Sequence, residues 1–336
     1  MFSRRHPNRP GFTLVELLVV IAIIGVIAAI AVPTILMARI KAINTRAKME
    51  ISSIEKAVES YKAKYQDYPP DFSDQQVVLR HINKVFPRIS PTERTTFMTR
   101  IYASGISSID PAEALVFWLG GFSDNKQLPF TGNGGPLIDT GSAYVYNSDR
   151  NIGPHSFDQG RLTLRTNSSG QMVSNDETQI LGLSGADDAF PVYLPQGMAV
   201  PFVYFDSRSY MRSYPATSGM PNGDPSATTA PSASTITQIY PPAAVLSSTS
   251  IGVARPYRSD LVRTATPSDP ITFRWLNEKT YQILCAGLDD NYGEWETGPN
   301  SYNKQFPTAL NYALDRSDHD NISNFSIKGT FEDSLP

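Results

Sequence analysis

The chain has 336 residues, and its 29 lysines and arginines nearly balance its 32 aspartates and glutamates, for a formal charge of −3. This balance offers no basic surface for nucleic acid, and the single cysteine, Cys285, excludes an internal disulfide framework. The sequence contains no G-x-S-x-G, H-E-x-x-H, P-loop or C-x-x-C motif, and its four histidines lack metal-ligand spacing. We therefore expect neither an enzyme nor a nucleic-acid-binding protein.

The N-terminal region combines a basic head with a long uncharged run. Residues 1–11 hold three arginines and no acid, and residues 17–38 hold no charge at all. At ~1.5 Å per helical residue this run is about 33 Å long, enough to cross a hydrocarbon core of ~30 Å. We predict a transmembrane helix over residues 12–38, with Pro33 kinking or locally melting it.

One carboxylate, that of Glu16, stands at the edge of this apolar run, where an ionisable group is costly to bury and marks a candidate functional site. The segment GFTLVE at residues 11–16, followed by the apolar run, resembles the class III signal of type IV prepilins and type II secretion pseudopilins. The resemblance implies cleavage after Gly11 by a prepilin peptidase and N-methylation of Phe12. It also implies pairing of Glu16 with the amino terminus of a neighbouring subunit. The alternative is an ordinary signal anchor with a chance glutamate.

The same resemblance implies where the parts of the chain reside. Basic residues follow the span as well as precede it, so the positive-inside rule alone leaves the orientation open. The prepilin resemblance implies a single pass through the bacterial inner membrane, with the leader (residues 1–11) cytoplasmic and the globular domain periplasmic. The implied partners are the peptidase, membrane lipid before assembly, other copies or related pseudopilins, and the inner-membrane platform of the secretion system.

Apolar residues continue at helical spacing beyond the span, which predicts an amphipathic continuation of the helix over residues 39–68. The apolar stripe consists of Ile40, Ile43, Ala47, Ile51, Ile54, Val58, Tyr61 and Tyr65. Charged residues fill the other face, and the Tyr-Pro-Pro sequence at residues 68–70 ends the segment. An independent amphipathic helix is the alternative.

The remaining residues, 69–336, are predicted to form one globular α+β domain. Three helices are expected within residues 72–122, as a helical insertion. The first covers residues 75–86, and the second runs from a capping box at Ser90 to about Tyr102. The third covers residues 114–119 and follows a second capping box at Asp110. The best predicted strands are residues 161–164, 198–206, 271–276 and 281–286. Residues 213–250, rich in Ser, Thr and Pro, form either a flexible loop or a partner-binding arm. The strand around Cys285 predicts a buried, inert thiol.

Taken together, these segments predict a pilin-like α+β fold. A long N-terminal helix, transmembrane in its first half and amphipathic in its second, is expected to lie on a small antiparallel sheet, with helical and loop insertions.

Two oxygen-rich segments near the C-terminus, residues 287–293 and 318–325, are candidates for binding Ca²⁺, which takes six to eight oxygen ligands. Their spacing is not that of an EF-hand. They resemble the calcium loop of the major pseudopilins, which has a Gly-x-Asp turn and a later Asp-Asp-Ile-x-Asn-Trp motif.

That match makes Asp289 and Asp320 the side-chain ligands and places Asn321 where the family has its second aspartate. Asp318 could supply the missing charge, and Phe325 replaces the tryptophan. Alternatively, these polar side chains only shape turns.

From the sequence we expect a structural subunit, a pseudopilin of type II secretion. A pilin of a type IV pilus used for adhesion, motility or DNA uptake is the nearer alternative, since the prepilin signal is common to both. The single cysteine favours the pseudopilin, because major pilins usually carry a cysteine pair near the C-terminus. A membrane-anchored hydrolase or carbohydrate-binding domain is the more distant alternative.

Overall fold

The computed structural model describes residues 13–103, 108–180, 187–210, 251–252, 254–262, 273–293, 304–306 and 318–334. The chain divides into two compact units, Met1–Ile43 and Asn44–Pro336. Gly11, Phe12 and the segment 213–250, all singled out by the sequence, lie outside the described residues.

The first helix, α1, runs from Leu14 to Tyr65 and contains Pro33. Helical residues lie on both sides of this proline, so the helix does not melt there, and a bend stays a prediction. The Thr34 hydroxyl donates to the carbonyl oxygens of Ile30 (2.6 Å) and Ala31 (3.0 Å). Because proline has no N–H to donate within the helix, a hydroxyl that donates to main-chain oxygens in the same turn helps the helix continue.

In the unit Asn44–Pro336, α1 buries one face, as the stripe predicts. Its buried residues are Ala47, Ile51, Ile54, Ala57, Val58 and Tyr61. Burial therefore begins later than the stripe itself, since Ile40 is 50% exposed. The helix ends after Tyr65 because Gln66 adopts a left-handed conformation with φ of 57°.

Three helices follow α1, each near its predicted position: α2 (Gln75–Val85), α3 (Pro91–Ile101) and α4 (Ala114–Leu119). Side-chain caps fix the first two. The Asp74 carboxylate accepts hydrogen bonds from two N–H groups at the start of α2, and the Ser90 hydroxyl accepts one at the start of α3. The predicted helices are confirmed, and so is the Ser90 cap, although Glu93 does not complete its box and instead accepts from the N–H groups of Phe130 and Thr131. The predicted box of Asp110 with Glu113 forms in the turn before α4, which begins at Ala114 without a side-chain cap.

An aromatic cluster surrounds α4, whose six residues are all buried. Trp118 is fully buried, stacks on Phe72 at 5.3 Å between ring centroids, and meets His81 edge-on at 4.8 Å. Phe117 lies 5.5 Å from Phe97 in a stacked arrangement. A helix that is apolar on all sides thus lies inside the domain, as its sequence predicts.

The strands are short. They are β1 (Leu137–Asp139), β2 (Tyr144–Tyr146), β3 (Leu164–Thr166), β4 (Met172–Ser174), β5 (Val203–Asp206), β6 (Arg258–Val262), β7 (Phe273–Trp275), β8 (Tyr281–Cys285), β9 (Gln305–Phe306) and β10 (Ile322–Ser323). Two short helices, α5 (Asp176–Gln179) and α6 (Ser207–Tyr210), follow β4 and β5.

Within the described residues these strands form four small sheets, ordered β1-β2, β3-β4, β10-β8-β5 and β7-β6-β9. Every named pair is antiparallel except β6 with β9, which is parallel. The predicted fold class, a long apolar helix with small antiparallel sheets in an α+β arrangement, is confirmed.

Two predicted strands differ from the observed ones. The strand predicted at residues 161–164 begins only at Leu164, because the Asp158 carboxylate accepts from the Gly160 N–H (3.0 Å) and stabilises a 3₁₀ turn over Gln159–Arg161. The strand predicted at 198–206 is reduced to β5, since Pro201 has no N–H for a strand ladder. β7 and β8 lie within their predicted ranges.

Candidate functional site

The start of α1 holds Glu16 in a reciprocal set of hydrogen bonds. The N–H and the hydroxyl of Thr13 both donate to Glu16 Oε2 at 2.8 Å, and the N–H of Glu16 lies 3.2 Å from Thr13 Oγ1. This is a capping box, in which each residue satisfies an unpaired group at the helix start. The Thr-x-x-Glu spacing of residues 13–16 is the sequence signal for this box. The carboxylate thus has a structural role within the single chain.

The first half of α1 presents apolar side chains on every side. The helix Leu14–Tyr65 is long and apolar enough to cross a membrane, with a mean hydropathy of 3.0 in its most apolar window, and none of that window is buried. Leu14, Ile30 and Met37 are 77%, 66% and 68% exposed. A helix that is apolar all round requires lipid or other apolar helices around it.

At the C-terminal end of the chain, the β8–β10 pairing brings the two oxygen-rich segments together. Ile322 pairs with Cys285 in antiparallel register, so the residues after β8 meet those before β10. Asp320 Oδ2 accepts from the N–H groups of Leu288 (2.6 Å) and Asp289 (3.1 Å). Gly287 has φ of 76°, and a Cβ there would lie 2.5 Å from the Asp320 carboxyl group. Asp320 therefore binds the first segment directly.

Asp289 and Asp320 form a pair of neighbouring carboxyl groups. Burial, together with the charge of Asp320, raises the pKa of Asp289 to about 7, and burial also raises the pKa of Asp320. Asp289 Oδ1 accepts from the Asn291 N–H at 2.8 Å. Asp320 Oδ1 is buried and makes no hydrogen bond within the described part of the chain. The structure thus brings together two of the four predicted calcium ligands.

The other two predicted ligands, Asp318 and Asn321, face different partners. Asp318 is fully buried, with Oδ2 at 3.6 Å from the Lys304 ammonium. The amide orientation that satisfies Asn321 places its nitrogen 2.9 Å from the Ala286 carbonyl oxygen and 3.1 Å from that of Asn291. Asn321 therefore donates to the main chain, and Asp318 faces a positive charge.

The four residues do not form one oxygen shell for Ca²⁺, an ion that takes six to eight oxygen ligands. Asp289 and Asp320 lie side by side, but two carboxylates alone fall short of that number. Calcium binding at this pair stays a prediction.

A second group of carboxylates has no counterpart in the sequence analysis. Potential ligand atoms of Glu113, Asp176 and Asp188 lie within 4.8 Å of one another. Each carboxylate also accepts a hydrogen bond from a nearby residue. The donors are the Asp110 N–H to Glu113 Oε2 (2.7 Å), the Ser174 hydroxyl to Asp176 Oδ1 (2.5 Å) and the Phe190 N–H to Asp188 Oδ1 (2.8 Å). Residues so far apart in the chain share no short motif, so this group could not be predicted before the fold was known.

Cys285 lies in β8 and is buried. Burial raises the pKa of its thiol to about 12, and the sulfur lies 3.4 Å from the Met198 sulfur. The predicted inert thiol is confirmed, since the reactive thiolate does not form near neutral pH.

A capped glutamate at the start of an unburied apolar helix, joined to an α+β domain with small sheets, defines the class of membrane-anchored, pilin-like proteins. The comparisons with known proteins agree. A family model described as the prokaryotic N-terminal methylation motif matches residues 7–32. Over its N-terminal region the chain is similar to type IV pilins and type II secretion pseudopilins. The motif implies processing by a prepilin peptidase and assembly with related pilins.

Relatives from both branches of the family match the N-terminal region. The chain is 38% identical over 69 residues to the type IV major pilin protein PilA of Myxococcus xanthus, covering 20% of this chain and 31% of the relative. It is 37% identical over 84 residues to the type II secretion system core protein G of Pectobacterium carotovorum, covering 25% and 51%. With core protein G of Escherichia coli the identity is 42% over 66 residues, covering 20% and 46%.

The chain thus spans about a third to a half of the length of these curated relatives. No solved structure matches the chain.

Proposed function

We propose that this chain is a structural subunit, a pseudopilin, of a type II secretion filament and not an enzyme. The observation that carries the proposal is Glu16, which lies inside a prepilin methylation motif at the start of an apolar, unburied helix. The matches to type II secretion core protein G in several bacteria support the secretion system.

In this proposal a prepilin peptidase cuts between Gly11 and Phe12 and Phe12 is then N-methylated. The leader is cytoplasmic, and the globular domain lies in the periplasm after a single pass through the inner membrane. The subunit waits in lipid and then joins copies or related pseudopilins at the inner-membrane platform of the secretion system.

The proposed driving force has two parts. The apolar side chains of residues 14–37 exchange lipid for other helices, which provides packing without a large hydrophobic gain. The charge of Glu16 pairs with the amino terminus of a neighbour, and in a low-dielectric surrounding each charge removes the cost of leaving the other unpaired. The charge pair therefore sets the axial register between subunits.

The capping box allows a test that separates charge from helix capping. Glu16→Gln keeps an oxygen that accepts from Thr13 but removes the charge. Thr13→Val removes the hydroxyl of the box but keeps the carboxylate. We expect the Glu16→Gln protein to insert and to be processed normally, as shown by mass spectrometry of its first residue, yet to give no filaments in sheared fractions.

The matched Thr13→Val protein should still assemble, because its charge is intact. Normal filaments from Glu16→Gln would refute the pairing role. Loss of filaments from both variants would assign the effect to helix capping instead.

A pilin of a type IV pilus is the second candidate, favoured by the match to PilA of Myxococcus xanthus. Deleting the gene separates the two. A strain that loses secreted proteins from the medium but keeps its pili supports the pseudopilin. A strain that loses pili and keeps normal secretion supports the pilin.

A further inference from the structure

A buried ammonium group lies between the two segments that were predicted to share a calcium ion. Lys304 Nζ donates to the Tyr292 carbonyl oxygen at 2.5 Å, and Tyr292 belongs to the first segment. The same nitrogen lies 3.6 Å from Asp318 Oδ2, which belongs to the second segment. The side chains of Lys304 and Asp318 are only 2% and 0% exposed. One positive charge of the chain thus bridges both segments.

A tyrosine ring is the third group in contact with this ammonium, after the Tyr292 carbonyl and the Asp318 carboxylate. Lys304 Nζ lies 5.6 Å from the centre of the Tyr257 ring, within the range of a cation–π contact. The Tyr257 hydroxyl is 3.3 Å from Asp318 Oδ2. The main chain of Tyr257 is fixed by Gln282 of β8, whose amide accepts from its N–H (2.7 Å) and donates to its carbonyl (2.8 Å). The ammonium is therefore held in a pocket anchored to the sheet.

The Lys304 ammonium and the Asp318 carboxylate carry opposite charges and lie 3.6 Å apart. A fully buried carboxylate such as Asp318 is costly unless an opposite charge and hydrogen bonds accompany it. Lys304 supplies that charge. A divalent ion at the same oxygens would be repelled by the ammonium, and repulsion is strong in a buried, low-dielectric place.

A second connection between the segments also uses the chain alone. Asp320 Oδ2 accepts hydrogen bonds from the N–H groups of Leu288 and Asp289, so its carboxylate holds the first segment directly. Together with the Asn321 amide, which donates to the Asn291 carbonyl oxygen, these contacts link residues 287–293 and 318–321 through protein groups.

We propose that the Lys304 ammonium is a built-in cation that fastens these two segments, and that the domain closes without calcium. The role that the family resemblance gives to a metal ion belongs here to a lysine. This inference rests on the geometry of the domain and not on the proposed secretion role, so either can fail alone.

The test uses the full-length protein in detergent and its thermal unfolding. For the wild type, replacing millimolar calcium with the chelator EGTA should leave the Tm unchanged. Lys304→Met, which keeps most of the side-chain volume, should lower the Tm by roughly 5 to 15 °C, because it removes the ammonium that faces the buried Asp318 carboxylate. Lys279→Met, which changes an exposed lysine in the same way, should have the same Tm as the wild type.

A double variant keeps the proposal testable if Lys304→Met alone does not fold. Adding Asp318→Asn removes the buried carboxylate charge that faced Lys304 and should restore a large part of the lost Tm. The proposal is overturned by any of three results: calcium raises the Tm of the wild type, Lys304→Met has the same Tm as the wild type, or the double variant is no more stable than Lys304→Met alone.

Discussion

Lowering the pH from about 7 to about 5 is expected to destabilise the domain by about 2 kcal/mol through one histidine, His81. This side chain of α2 is completely buried. Its Nδ1 lies 2.8 Å from Asp67 Oδ2, and its Nε2 lies 2.8 Å from the Tyr61 hydroxyl. Asp67 also accepts from Arg208 Nη1 at 2.9 Å. We assign the neutral tautomer in which Nδ1–H donates to Asp67 and Nε2 accepts from Tyr61.

The magnitude follows from the pKa of His81. Burial lowers it from 6.5 to about 4, even though the hydrogen bond to Asp67 favours the charged ring. Burial disfavours the charged form of Asp67 as well, but the His81 hydrogen bond and the Arg208 charge hold the pKa of Asp67 below its usual range. Asp67 therefore stays ionised over this pH range.

The unfolded chain takes up the histidine proton at higher pH than the native chain does. The contribution of His81 is complete above pH 6.5 and is lost as the pH falls from 6.5 to about 4, at up to ~1.4 kcal/mol per pH unit. Near pH 5 most of this range has been crossed, which gives the figure of about 2 kcal/mol.

Urea unfolding of a fragment covering residues 44–336 provides the assay, with His81→Gln as the matched variant. Glutamine can still donate to Asp67 and accept from Tyr61, but it does not titrate. The wild type should lose about 2 kcal/mol more than the variant between the two pH values, because titrations elsewhere are common to both proteins. Equal losses in the two proteins would contradict the assignment of a neutral, buried His81.

Two further changes test the packing of the same domain. Trp118→Ala should lower the free energy of unfolding by about 3–5 kcal/mol in urea titrations, because it opens a cavity among buried aromatic rings; a loss below 1 kcal/mol would mean that the cluster repacks. Gly287→Ala should cost about 1–3 kcal/mol in the same assay, since its φ is 76° and the new Cβ would contact Asp320. An alanine variant as stable as the wild type would show that this turn can relax.

Features governed by neighbouring residues could be read from the sequence. α2 and α3 begin where Asp74 and Ser90 supply side-chain acceptors to the next turn. The burial of α1 from Ala47 onwards follows its apolar spacing, and β8 with its buried Cys285 follows from a short apolar run. In each case the local pattern and the final environment agree.

Features that depend on residues far apart in the chain could not be read in this way. Lys304 stands in a polar stretch with no recognisable motif, and only the fold brings it beside Tyr292 and Asp318. His81 and Asp67 likewise meet only once α2 folds back against the end of α1. The split of the predicted calcium ligands has the same origin, because side-chain partners from other segments decide where each carboxylate points.

The buried thiol of Cys285 has a practical consequence for mapping how subunits meet. The chain has one cysteine, and that cysteine is inaccessible and scarcely ionised. Cysteines introduced in pairs on the domain surface could therefore form disulfides with one another across a subunit boundary, with almost no competing disulfide formation by Cys285. The native chain is already suited to disulfide trapping in living cells, without first removing a residue that fills its core.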